Sequence, residues 1–151
     1  MTYEQSTGFW KSGDGRVLAE CYSGYQDGKN NPDKQDQVGV GPIPQGWYTG
    51  TGPEAAGPGE TSPHGPYVIR WVPDPGNQMW DRAGFLAHGD SIKNPGTASH
   101  GCIIPLKGKV DGNVVLTGRP LREALWEHGK TEGQRLQVVS GPVLVPVIVS
   151  G

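Results

Sequence analysis

The residues that invite a chemical reading lie in two short stretches, Phe85-Leu86-Ala87-His88-Gly89-Asp90 and Ser99-His100-Gly101-Cys102-Ile103. A cysteine in the company of histidines points to nucleophilic catalysis. The thiolate is the reactive form, a free thiol is mostly protonated at neutral pH, and a nearby imidazole can take the proton and hold an ion pair with the sulfur. Both histidines stand at the ends of apolar runs, where strands emerge at a sheet rim. Gly101 permits close approach of a substrate to the backbone, and the amides of Gly101 and Cys102 are candidates to face a developing oxyanion. Spacing alone leaves the base open. His100, two residues from Cys102, would share its face on an extended segment, whereas His88, fourteen residues away, needs the fold to bring it near.

The remaining candidates have plainer readings. Cys21, between Glu20 and Tyr22 in a strand-like run, reads as a small buried hydrophobe. Its pairing with Cys102 would silence a nucleophile, so an oxidised form would be inactive. Asp90, directly after a glycine, reads first as a loop residue making an Asx turn, and second as a group that orients a histidine or binds a substrate amine. His64 and His128 read as solvent-facing. The tryptophans read as core and rim packing, with Trp47 or Trp71 as platforms for a glycan. His88, Asp90, His100 and Cys102 are ligand types that zinc accepts. However, His100-x-Cys102 is not a common zinc spacing, and no Cys-x-x-Cys or His-x-x-x-His accompanies it. No metal and no cofactor are therefore expected, because cysteine and histidine supply nucleophile, acid and base.

The elements that must position these residues are mostly short strands. The chain has 151 residues, suited to one domain over 1–151, with 25 glycines and 14 prolines. That turn-rich composition borders on disorder, but five tryptophans and a net charge of only −2 argue for a compact β domain. Residues 7–23 read as a hairpin turning at Ser12-Gly13-Asp14-Gly15, and 23–37 as a polar loop with Asn30-Asn31-Pro32 as a turn signal. Gly41-Pro42-Ile43-Pro44-Gln45-Gly46 reads as a rigid irregular turn leading into a strand at Trp47-Tyr48-Thr49. A glycine- and proline-rich loop over 50–66, a strand over 66–72, apolar runs at 84–88 and 101–106, and a loop over 89–98 follow. One helix is expected from Arg119 to His128, with Pro120 in its first turn and Gly129 ending it. Strands at 135–139 and 143–149 close the chain.

Composition also excludes function classes. With 13 basic residues against 15 acidic ones, nothing drives binding to a phosphate backbone, so nucleic acid is not an expected partner. No window approaches the roughly 18 consecutive apolar residues of a membrane span. The start Met1-Thr2-Tyr3-Glu4-Gln5-Ser6 lacks a basic, apolar leader, which implies synthesis in the cytoplasm without a signal peptide.

His88-Gly89 followed by Ser99-His100-Gly101-Cys102-Ile103 resembles the signature of the L,D-transpeptidases, cysteine peptidoglycan enzymes of the YkuD-like fold. Cys21-Tyr22-Ser23-Gly24, Asn30-Asn31-Pro32 and Gly41-Pro42-Ile43-Pro44-Gln45-Gly46-Trp47-Tyr48 narrow the resemblance. They resemble the small single-domain branch found as type VI secretion effectors, delivered into a competitor's periplasm. The resemblance implies a mostly β, YkuD-like sandwich or barrel with one covering helix. It implies Cys102 as nucleophile, His88 as base and the Gly89 carbonyl as its orienting group. The Gly101 and Cys102 amides would form the oxyanion hole. Ser99, His100, Asp90 and Tyr22 would serve the substrate. Peptidoglycan stem peptides are the implied substrate, with a secretion machine and a cognate immunity protein as partners. The loop from His88 to Ser99 is shorter than in the crosslinking enzymes, and Ile104 stands where those often carry a polar residue. L,D-carboxypeptidase and D-amino-acid exchange on tetrapeptides are therefore expected ahead of crosslinking. A housekeeping 3-3 crosslinking enzyme and a non-catalytic peptidoglycan-binding module are the alternatives.

Overall fold

A computed structural model describes residues 1–54 and 67–142. Eight strands close into a barrel: β1 (Thr2–Glu4), β2 (Phe9–Lys11), β3 (Val17–Ser23), β4 (Gly46–Glu54), β5 (Val68–Pro73), β6 (Leu86–Ala87), β7 (Ile103–Lys107) and β8 (Arg135–Val139). The order around the barrel is β1-β2-β3-β7-β6-β5-β4-β8, and parallel pairing of β1 with β8 closes it. Closure removes the exposed edges that short strands otherwise leave open to aggregation.

The core follows from strand alternation. Ile69, Trp71, Ala87, Ile103, Leu136 and Val138 turn inward, while Arg70, Val72 and Leu86 turn out or lie at the rim. Trp10 and Trp71 meet edge-to-face at 5.5 Å between ring centroids, the geometry their quadrupoles favour. Trp71 is thereby ruled out as a glycan platform, because its ring is spent on the core. Trp47 is exposed, with the Arg135 guanidinium 5.1 Å from its ring centroid.

The helix, α1 (Gly118–Lys130), packs on β7 and β5 and sends Leu121 and Leu125 into the core. It runs past Gly129. A Cβ at that position would meet the Gln134 side chain, and the chain stops instead at a turn in which the Glu132 and Gln134 amides donate back to the Gly129 carbonyl. His128 is half-buried rather than solvent-facing. Its Nε2 contacts Glu132, whose carboxylate also receives the N-terminal ammonium and the Gly13 amide.

The expected hairpin is β2–β3. β1 carries no apolar run and was not legible; parallel register with β8 makes it a strand. β4 extends through residues expected to be loop, up to Glu54. His64 and the expected strand at 143–149 lie outside the described residues.

Candidate active site

Strand β6 is two residues long, and its parallel ladder with β7 has one register pair, Ala87 opposite Ile103. The His88 amide extends it by donating to the Ile103 carbonyl. Ala87 and Ile103 point into the core. By alternation their neighbours Leu86, His88, Cys102 and Ile104 take the opposite face. Shortness matters here: in a longer parallel pair, a residue just after one strand and a residue just before the other would be separated by the ladder's length. A single pair leaves His88 and Cys102 as diagonal neighbours.

The histidine is oriented by the chain itself. Its Nδ1 lies 2.8 Å from the Gly89 carbonyl oxygen. A carbonyl can only accept, so Nδ1 carries the proton and Nε2 is the basic nitrogen of the neutral ring. Cys102 Sγ accepts from the Leu86 amide at 3.4 Å and lies 3.7 Å from the Gly84 carbonyl. Cys102 reaches the surface only partly. Burial pushes its thiol above the ordinary value, and the Leu86 amide, Arg70 and Arg82 pull the other way without cancelling that. The resting group is a thiol that needs a base. Cys21 is also a free thiol, but it is buried in β3 and its pKa is driven up by desolvation.

The residues around this pair mostly serve the backbone. Ser99 is fully buried, and its hydroxyl accepts from the Gly24 and Gly101 amides while donating to the Cys102 carbonyl at 2.5 Å. It is therefore not a substrate contact, and the Gly101 amide is committed to it rather than to an oxyanion. Gly101 itself is irreplaceable for shape: its φ is +139°, and a Cβ would stand 2.7 Å from Arg82 and 2.8 Å from Phe85. The Tyr22 hydroxyl donates to Asp90 at 2.5 Å and accepts from the Ala98 amide. Asp90 also receives the Ser91 and Gly96 amides. Tyr22 and Asp90 thus fix the 89–98 loop; Asp90 is a loop residue, but its bonds to the Ser91 and Gly96 amides are not the expected Asx turn, which takes the amide two residues on. His100 is exposed, with Nδ1 2.9 Å from the Gly39 carbonyl and its ring 4.8 Å from that of Tyr25. Among the described residues, no group of three or more His, Cys, Asp or Glu side chains could hold a metal ion.

Two arginines that the sequence did not single out complete the picture. Arg82 is buried and donates to the carbonyls of Gln35, Pro42, Gly41 and His100, with its guanidinium over the Phe85 ring. It ties the Gly41-Pro42-Ile43-Pro44 turn to the segment that carries Cys102. Its only sequence signal was a basic residue in an irregular stretch, which usually means a solvated loop. Arg70, on β5, forms a two-point pair with Glu54. A cavity of about 340 Å³ lined by residues such as Leu18, Lys107 and Val115 lies elsewhere and holds no cysteine or histidine.

No curated protein and no solved structure matches the chain. One family does, the Tlde1 domain, over residues 18–110, a span that takes in Tyr22, Ser23, Arg82, His88, Ser99 and Cys102. Well over half of the chain lies within that match, and the chain belongs to the Tlde1 domain family of L,D-transpeptidase-like type VI secretion effectors.

Proposed function

We propose that the protein is an antibacterial effector that uses Cys102 to transfer acyl groups on peptidoglycan stem peptides. The observation that carries this reading is the placement of His88 and Cys102 on one face of the β6–β7 pair, with the base held in one tautomer by Gly89. His88 Nε2 takes the Cys102 proton. The thiolate attacks the carbonyl of the third stem residue, forming a C–S bond. The tetrahedral oxyanion faces the Cys102 amide. Collapse breaks the C–N bond to the terminal D-alanine, and the imidazolium returns its proton to the leaving amine. Water then hydrolyses the thioester, or the amine of a free D-amino acid replaces the lost residue. Either outcome strips a cell wall of tetrapeptide donors. The reading places the enzyme's action in a target cell's periplasm, after delivery by a secretion machine, with an immunity protein guarding the producer. The YkuD-like kinship of the barrel is part of the same proposal.

The experiment is incubation with disaccharide-tetrapeptide, with and without D-methionine, followed by mass spectrometry. Loss of D-alanine, and its replacement by D-methionine when that is supplied, is the expected result. An unchanged tetrapeptide from folded protein contradicts the reading, and crosslinked dimers as the main product would favour the crosslinking alternative.

A further inference from the structure

An enzyme that removes one terminal D-amino acid, or accepts a free one, handles a carboxylate next to the reacting carbonyl. Two cations act electrostatically on Cys102, Arg70 and Arg82. Arg82 is buried, and its donors serve four backbone carbonyls. Arg70 differs on each point. Its side chain is 42% exposed, so a ligand can reach it. Its register partner is Leu86, the residue whose amide contacts Cys102 Sγ, and the Ala87–Ile103 pair aligns Leu86 with Cys102, so Arg70, Leu86 and Cys102 form a row from β5 across β6 to the residue just before β7. Two strand spacings are on the order of 10 Å. An arginine side chain spans most of that distance, and the residue after a scissile carbonyl extends another ~3.8 Å toward it.

The guanidinium is also oriented for a second partner. Glu54 occupies the Nε–Nη2 edge, with contacts of 3.2 and 3.1 Å. The end-on Nη1–Nη2 edge has no acceptor among the described residues. That edge is itself a fork that matches a carboxylate in two-point geometry, and Glu54 has already fixed its direction. Holding the side chain in place beforehand lowers the entropy lost on binding.

We propose that Arg70 forms a carboxylate subsite beside Cys102 that receives the terminal carboxylate of the departing or incoming D-amino acid. The subsite rests on the acyl-transfer reading, makes the enzyme selective for stem ends over internal peptide bonds, and gives Glu54 the role of positioning residue.

The test separates binding from turnover. Cys102→Ala protein, with Arg70 intact or replaced in Arg70→Gln and Arg70→Lys, is titrated by calorimetry with disaccharide-tetrapeptide and with the same molecule amidated at its terminal carboxyl. Thermal unfolding checks that each variant is folded. With Arg70 intact, the acid is expected to bind about 10- to 100-fold tighter than the amide, the range of hydrogen bonds to a charged group. Arg70→Gln should remove that preference by weakening the acid alone, and Arg70→Lys, which keeps the charge but not the fork, should retain only part of it. Equal weakening of acid and amide, no preference with Arg70 intact, or no binding of either overturns the subsite. Turnover by the Cys102 enzyme is followed in parallel. Preference in binding with no D-alanine release leaves the subsite standing and defeats the acyl-transfer reading; release from acid and amide alike does the reverse.

Discussion

His88→Ala is expected to lower D-alanine release by about 10²- to 10⁴-fold, the usual worth of a positioned general base. The same variant should change how the thiol titrates. Burial holds the Cys102 pKa above its ordinary value of 9.0. A raised thiol pKa favours the neutral form, so reactivity grows with rising pH and is small below the pKa. Without the imidazole, alkylation of Cys102 by iodoacetamide should stay slow through neutral pH and climb only above about pH 9. With His88 present, the Cys102–His88 pair should react at neutral pH, and Cys21, buried and itself shifted upward, should stay unmodified while the protein is folded. The measurement is alkylation rate against pH, followed by mass spectrometry of the peptide that carries Cys102. Identical profiles for the two proteins would remove His88 from the role of base.

Arg82→Met should be the most destabilising single change near the site, by about 3–5 kcal/mol. Four carbonyls lose a charged donor at contacts of 2.6, 2.8, 2.8 and 3.2 Å. Hydrogen bonds to charged groups are each worth about 1.5–3 kcal/mol, and water reaching some of the freed carbonyls recovers part of the total. Methionine keeps the apolar stem against Phe85, so the loss reports the hydrogen bonds rather than a cavity. Arg82→Lys keeps the charge but not the planar fork and should fall between the two. Urea unfolding measures both. The Met variant should also lose activity beyond its loss of folded fraction, because the His100 carbonyl and Gly101 are held against this side chain. A change below about 1 kcal/mol would mean that the turn and the Cys102 segment hold together without Arg82.

The parts of the fold that were legible in the sequence are those written in local chemistry. The β2–β3 hairpin was announced by Gly13-Asp14-Gly15, and α1 by Pro120 and an apolar stripe. The Gly41-Pro42-Ile43-Pro44 turn was visible from its prolines, but not the reason it holds. Arg82 on the Pro42 carbonyl and Ser23 on the Ile43 amide come from far along the chain, and only the Tyr48 hydroxyl on the Pro44 carbonyl is local. β1 was invisible because Thr-Tyr-Glu has no apolar pattern and is defined only by its pairing with β2 and β8.

The candidate site divides in the same way. Cys102, His88 and Gly89 were visible because a thiol, an imidazole and a glycine leave a trace in sequence; the Ala87–Ile103 register pair and the His88–Gly89 contact are compatible with the roles the resemblance implies. Ser99, Tyr22 and Asp90 were expected to face substrate and instead bind backbone and one another. A hydroxyl or carboxylate near a nucleophile looks the same in sequence whether it faces solvent or an amide. Arg70 and Glu54 left no signal at all, because they come from different strands and meet only through barrel register, which also sets Arg70 opposite Leu86.

The central claim is a covalent bond between Cys102 and a stem peptide. Intact-mass spectrometry of the protein, quenched in acid within seconds of mixing with disaccharide-tetrapeptide, tests it most directly. The account predicts a mass increase equal to the tetrapeptide substrate less its terminal D-alanine, held on the peptide containing Cys102 as a thioester, released by hydroxylamine and absent from Cys102→Ala. D-alanine release that persists in Cys102→Ala, or an adduct on any other residue, would contradict it.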